Sequence, residues 1–376
     1  MDNDQKLKNI ISAGIERSRI DLGSISSLLQ AGARVDLRLG GESLACALAE
    51  CDAPGSAAAI AMLAEFGADL GWRDEFGAGL VARAARVGNI LCMEALARLG
   101  APTSAKGADG RDALQEAVDR LDCSVASALM RLGVSASKAK DPDGRPILSQ
   151  VAGRLDGCSM ALELLHGGAD PCEQDSQGWS PLALAARAGA ASMAEILLDR
   201  MADPGELGPG GLAPLAIALG ARPGRQILGG SKVGPGHIFC AVAIAKRLPP
   251  TWGWRPDANG RPPLARLCFS IGRFELAWME ALRRAGADPR AESVGGGGLL
   301  SVAGAPGLSN ECSLALAAWA LGAGADPGRR CCSGMLPEDR AMAAKKFEVA
   351  RLLCSAREAK ELESVERGAQ GGSKRL

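Results

Sequence analysis

The stretch Gly178-Trp179-Ser180-Pro181-Leu182-Ala183-Leu184-Ala185-Ala186-Arg187-Ala188-Gly189 runs on into Ile196-Leu197-Leu198 and Ala202-Asp203-Pro204. It reads as helix, turn, helix, turn. Ser180 is placed to cap the first helix by accepting from a free backbone N–H, and Pro181 suits the first turn, where its missing donor would have no partner anyway. Small residues, Ala183, Ala185 and Ala186, let a neighbouring helix approach closely. The Leu pair 197–198 belongs to the second helix and supplies core. The turn after it opens into an Asp-Pro hairpin start.

The same unit recurs along the chain. Its closing turn is found at Gly32-Ala33, Gly67-Ala68-Asp69, Gly100-Ala101-Pro102, Gly133-Val134, Gly168-Ala169-Asp170, Met201-Ala202-Asp203, Gly286-Ala287-Asp288 and Gly324-Ala325-Asp326, with a degenerate member near Pro250. From residue 32 the spacings are 35, 33, 33, 35, 33, 49, 36 and 38, so a single interval carries an insertion. The pattern resembles the ankyrin repeat, in which a turn precedes a T-P-L-H-x-A helix start and the period is about 33 residues. Several copies depart from it: Gly79-Leu80, Asp112-Ala113 and Leu299-Leu300 stand where the family has Thr-Pro. The resemblance implies an all-α solenoid of about ten helix-turn-helix repeats joined by short finger loops over residues 1–358. Residues 359–376, charged and then Gly/Ser-rich, are expected to form a flexible tail after the last helix.

Composition bounds the function. The 376 residues carry 43 basic and 43 acidic side chains, which argues against a general nucleic-acid or membrane-surface binder. The apolar stretches, such as Ile238–Ile244, fall short of the ~20 residues needed to span a bilayer, and the polar start Met1-Asp2-Asn3-Asp4 is unlike a signal peptide. A cytoplasmic location is expected, with signal-independent secretion left open. The 12 cysteines show no C-x-x-C spacing, and only His166 and His237 are available to complete a mixed metal site. Buried reduced thiols are therefore expected, with Cys331-Cys332 in an exposed finger. Neither metal nor cofactor is expected. Both histidines read as structural, and Asp74, Asp109, Asp175 and Asp257 read as braces of the finger turns.

Two departures from a plain repeat point to function. The insertion loop Arg222–Gly236 in the seventh repeat is Gly/Pro-rich and carries Arg222, Arg225 and Lys232; such insertions emerge on one face, often the binding face. Aromatic residues also fall in or beside fingers: Trp72, Phe76, Trp179, Trp252 and Trp254. The residue after the finger Gly, which the resemblance turns toward the concave partner-binding side, is Arg111, Arg145, Trp179 and Arg261, with Arg187 close by. Trp and Arg dominate binding hot spots. The sequence thus points to a non-enzymatic module that binds another protein on its finger and inner-helix face. An inhibitor, immunity protein or host-directed effector of bacterial or phage origin suits the Ala-, Gly- and Arg-rich composition. A small ligand held between the 220s loop and the inner helices is the alternative.

Overall fold

The computed structural model describes residues 2–107, 110–220, 233–248, 276–286, 288, 290, 298–306, 308–331 and 333–372. Within these the chain is helical, apart from a two-residue hairpin, Arg38–Leu39 (β1) against Glu42–Ser43 (β2), and single bridges such as Arg73 with Gly79 and Lys140 with Pro146. The bridges close the fingers.

Two compact units make up the chain. The first comprises Met1–Val151 and Asp156–Ser176, the second Ala152–Leu155 and Gln177–Leu376. In the first, helices come in pairs: Asn3–Glu16 (α1) with Leu22–Gln30 (α2), Leu44–Ala49 (α3) with Ser56–Glu65 (α4), Leu80–Val87 (α5) with Ile90–Arg98 (α6), and Ala113–Asp119 (α7) with Cys123–Arg131 (α8). Ile147–Ala152 (α9) and Cys158–His166 (α10) follow. First helices stack on first helices (α3 on α5, α5 on α7) and second on second (α4 on α6, α6 on α8, α8 on α10). That stacking is why Ala45, Ala49, Ala84, Ala85 and Ala117 are buried while Ile60, Leu63, Leu96, Leu129 and Leu164 fill the layer behind them.

The second unit repeats the scheme with Pro181–Ala188 (α11) and Ala191–Asp199 (α12), then Pro214–Ala218 (α13) and Pro235–Arg247 (α14). Leu276–Arg284 (α15), Leu299–Ala303 (α16), Asn310–Gly322 (α17), Pro337–Ala343 (α18) and Phe347–Gly372 (α19) complete it. The described helices are consistent with ten repeats.

Local chemistry sets the helix ends. Ser180 Oγ accepts from Ala183 N–H at 3.3 Å, and Pro181 occupies the first turn, as read from sequence. Where Thr-Pro is missing, Asp112 does the same work through a full capping box: its carboxylate accepts from Gln115 N–H at 3.0 Å, and Gln115 Oε1 accepts from Asp112 N–H at 2.9 Å. Second helices close on a left-handed residue, illustrated by Gly168 at φ 85°, after which Ala169 N–H reaches back to the Leu164 carbonyl at 2.9 Å. Met201 takes that position in α12 at φ 69°.

Two expectations change here. The insertion was placed at 222–236, but Pro235 and Gly236 already form the first turn of α14. The tail expected from residue 359 is helix as far as Gly372. Its Glu-, Lys- and Ala-rich sequence favours helix, and ion pairs hold its first half: Arg357 to Glu338 at 3.0 Å and to Glu361 at 2.8 Å, and Lys360 to Asp326 at 2.8 Å.

Candidate functional site

In the first unit, successive fingers stand over the inner helices. In the finger before α5, Asp74 Oδ1 accepts from the N–H groups of Phe76 and Ala78 at 2.9 and 2.8 Å. In the finger before α9, Asp141 accepts from Arg145 N–H at 2.8 Å and from Arg145 Nε at 2.9 Å. The carboxylate braces expected from sequence therefore exist at Asp74; Asp109 and Asp257 lie outside the described residues. Asp74 does more than brace. With Glu42 and Glu50 it surrounds the buried Arg83 guanidinium, at 3.2 Å from Asp74 and 2.7 Å from Glu50. The Glu50 contact is ionic only, since Nε makes no hydrogen bond there. Arg83 ties three segments together.

The structure brings Arg111 and Arg145 to one cleft, of about 450 Å³. Its floor is made by Gln115 and Asp119 of α7 and Gln150 of α9, and its walls by Arg111 on one side and the Asp141–Arg145 finger on the other. Neither arginine is an isolated cation: Arg111 pairs with Asp119, and Arg145 with Asp141 at 2.9 Å and Asp143 at 3.6 Å. Both remain about half exposed. The floor amides differ. Gln115 also donates from Nε2 to the Lys140 carbonyl, whereas Gln150 Nε2 is buried with no acceptor.

Sequence reading named the two arginines but neither glutamine, nor the aspartates beside them. The missed signal is a register match: Gln115 and Gln150 are polar residues one repeat apart on helices otherwise rich in Ala, Leu and Val. Of the other finger residues, Phe76 is 60% exposed, and Trp72 is half-buried.

Trp179 belongs to the second unit and corrects the expectation of an exposed anchor, because it is only 6% exposed. Its indole packs inward, and the exposed Arg187 at the end of α11 lies over the ring, 4.6 Å from its centre. Behind Arg187 stands His237. Its Nδ1 accepts from Gly234 N–H at 3.3 Å, so the neutral ring carries its proton on Nε2, which faces the Arg187 carbonyl at 3.3 Å. A Cβ at Gly189 would sit 2.6 Å from Nδ1, so glycine is required at that approach. His237 is thus structural, as expected. Trp252, Trp254, Arg261, Arg222, Arg225 and Lys232 lie outside the described residues.

The thiols follow the core register. Cys46, Cys51, Cys92 and Cys240 are buried, and burial pushes Cys46, Cys92 and Cys240 up to about 12. Cys331, expected in an exposed finger, is buried instead; its Sγ is 2.9 Å from Ser333 Oγ, and that hydrogen bond holds it below the usual thiol value. Among the described residues no group of three or more His, Cys, Asp or Glu is placed to hold a metal ion, and no helix is long and apolar enough to cross a membrane.

Residues 177–207 match the ankyrin repeat family model. Among solved structures, the ankyrin repeat domain of Bcl-3, a unique member of the IkappaB protein family, aligns with TM-score 0.48 at 21% identity, over 55% of this chain and 92% of its own. The human ASB11 ankyrin repeat domain aligns with TM-score 0.45 at 20% identity, over 64% of this chain and 97% of its own. None of the curated proteins matches the sequence.

Proposed function

Because the chain is built on ankyrin repeats, an architecture that generally mediates protein–protein interaction, we propose that it is a non-enzymatic module that binds a partner protein through fingers and inner helices. The observation that carries this reading is the cleft of the first unit. There, finger side chains (Arg111 and Arg145) and inner-helix side chains (Gln115 and Gln150) converge on one open space. Convergent polar groups over a preformed concavity are what recognition needs. The exposed Phe76, one finger earlier in sequence, supplies an aromatic contact of the kind that anchors interfaces.

On this reading the protein works by occupancy: it inhibits or sequesters its partner, in the manner of an immunity protein, an inhibitor or an effector directed at a host. Trp179 is assigned to stability and not to contact, and Arg187, exposed above it, remains a contact residue. The test is affinity capture from the native source with the wild-type chain and with Arg111→Ser/Arg145→Ser, both checked for unchanged unfolding midpoints. The reading expects a stoichiometric partner on the wild type that is reduced at least tenfold on the variant. Equal capture by both would remove the cleft from the interface, and absence of any stoichiometric partner would remove the reading itself.

A further inference from the structure

The two amides on the cleft floor have unequal hydrogen bonding. Gln115, 1% exposed, has both ends engaged within the fold. Gln150 has a buried Nε2 and nothing to give its hydrogens to. A buried donor left without an acceptor costs about 1–3 kcal/mol, and a ligand that brings an acceptor recovers it. Apolar replacement of such a group is nearly neutral, so an amide at this position is not explained by the fold alone.

The rim is unequal too. Its two guanidinium groups face three carboxylates, leaving one negative charge without a counter-charge in the cleft. That charge is best assigned to Asp143, whose side chain is 80% exposed and whose nearest guanidinium contact is 3.6 Å away; Asp141, by comparison, is 10% exposed and bound at 2.9 Å.

We propose that the cleft receives an extended, basic segment of a partner protein. A main-chain carbonyl of the segment accepts from Gln150 Nε2, and a Lys or Arg side chain next to it pairs with Asp143. This deepens the protein-binding reading above and rests on it. The cleft volume, about 450 Å³, lies within the range of about 300–1,000 Å³ of pockets that hold small ligands, which suits a few residues of peptide and not a folded domain. An acidic segment or a nucleic-acid strand would add negative charge to a rim that already carries an excess of it.

The experiment uses the full chain to select from a phage-displayed random peptide library. Enriched peptides are then synthesised and titrated by fluorescence polarisation against wild type, Gln150→Leu and Asp143→Asn. The expected result is a Lys/Arg-bearing consensus whose affinity falls at least tenfold on Gln150→Leu and on Asp143→Asn, with a shallower salt dependence on the latter. Gln150→Leu should keep or raise the unfolding midpoint, so that lost binding is not lost folding; a lowered midpoint would make Gln150 structural and overturn the assignment. An acidic or purely apolar consensus, or undiminished binding to Gln150→Leu, also overturns it. Peptides that bind both variants at full strength would sink this cleft while leaving a protein-binding role elsewhere on the chain. If no peptide is enriched, the assignment falls and the capture experiment decides the broader reading on its own.

Discussion

Arg187 holds its guanidinium carbon 4.6 Å from the ring centre of Trp179, while the indole beneath is 6% exposed. The arginine covers a core residue and presents the polar surface in its place. The two substitutions should therefore behave differently. Trp179→Ala empties buried volume and should cost about 3 kcal/mol, whereas Arg187→Ala loses only an exposed cation–π contact of about 0.5–1 kcal/mol. Urea unfolding of the full chain measures both. A Trp179→Ala midpoint equal to that of wild type would place the indole outside the core.

Met201 is the exception among the left-handed helix closures. It sits at φ 69° and is 84% exposed, whereas Gly168 holds the equivalent place at φ 85° with nothing within 4 Å of a built Cβ. A side chain in that region costs about 1–2 kcal/mol, against which glycine's extra unfolded-state freedom counts about 0.4–1 kcal/mol. Met201→Gly should then stabilise by about 0.5–1 kcal/mol, and Gly168→Ala should destabilise by a similar amount. Thermal unfolding of the pair checks the opposite signs.

Cys46, Cys92 and Cys240, pushed up to about 12 by burial, hold almost no thiolate at pH 8. Mass-spectrometric mapping after brief alkylation of the native protein should leave these three unlabelled and label them only in denaturant. Labelling of all three under native conditions at the rate of a free thiol would show that the helix pairs open.

Lys346 is buried without a carboxylate. Its ammonium donates to the carbonyls of Ala303 and Ala305 at 3.3 and 2.5 Å and to Ser313 Oγ at 2.6 Å. Lys346→Met leaves these acceptors unpartnered and should destabilise by about 1–3 kcal/mol. Burial also holds the lysine below its ordinary 10.5. As pH rises from the folded value toward 10.5, the folded state sheds its proton first, the unfolded state binds more protons, and stability gains. The wild-type advantage over Lys346→Met should thus widen with pH in that window and stay flat below it. Urea midpoints taken across the range test the slope, and a narrowing advantage would contradict the burial.

The helix pairs, their caps and their closing glycines were legible in the chain itself, because each is decided within about five residues. Ser180 meets the N–H of Ala183, and Gly168 needs only its own φ. The same locality explains why Asp112 replaces the family's Thr without altering the helix start. The candidate site was legible only in part. Arg111 and Arg145 stood out by spacing, but Gln115 and Gln150 gain their meaning from what the next finger offers: a Lys140 carbonyl for one and nothing for the other. Trp179 was misread for a related reason. Its position beside a turn is a local fact, whereas the burial of its ring depends on side chains brought up by helix packing, with Arg187 closing over it. The C-terminal helix likewise extends past the expected tail start, with Lys360 pairing with Asp326, distant in sequence. Backbone conformation is a short-range property that one sequence can encode openly. Burial, charge pairing and an unpartnered amide are properties of neighbours, and only tertiary packing chooses those.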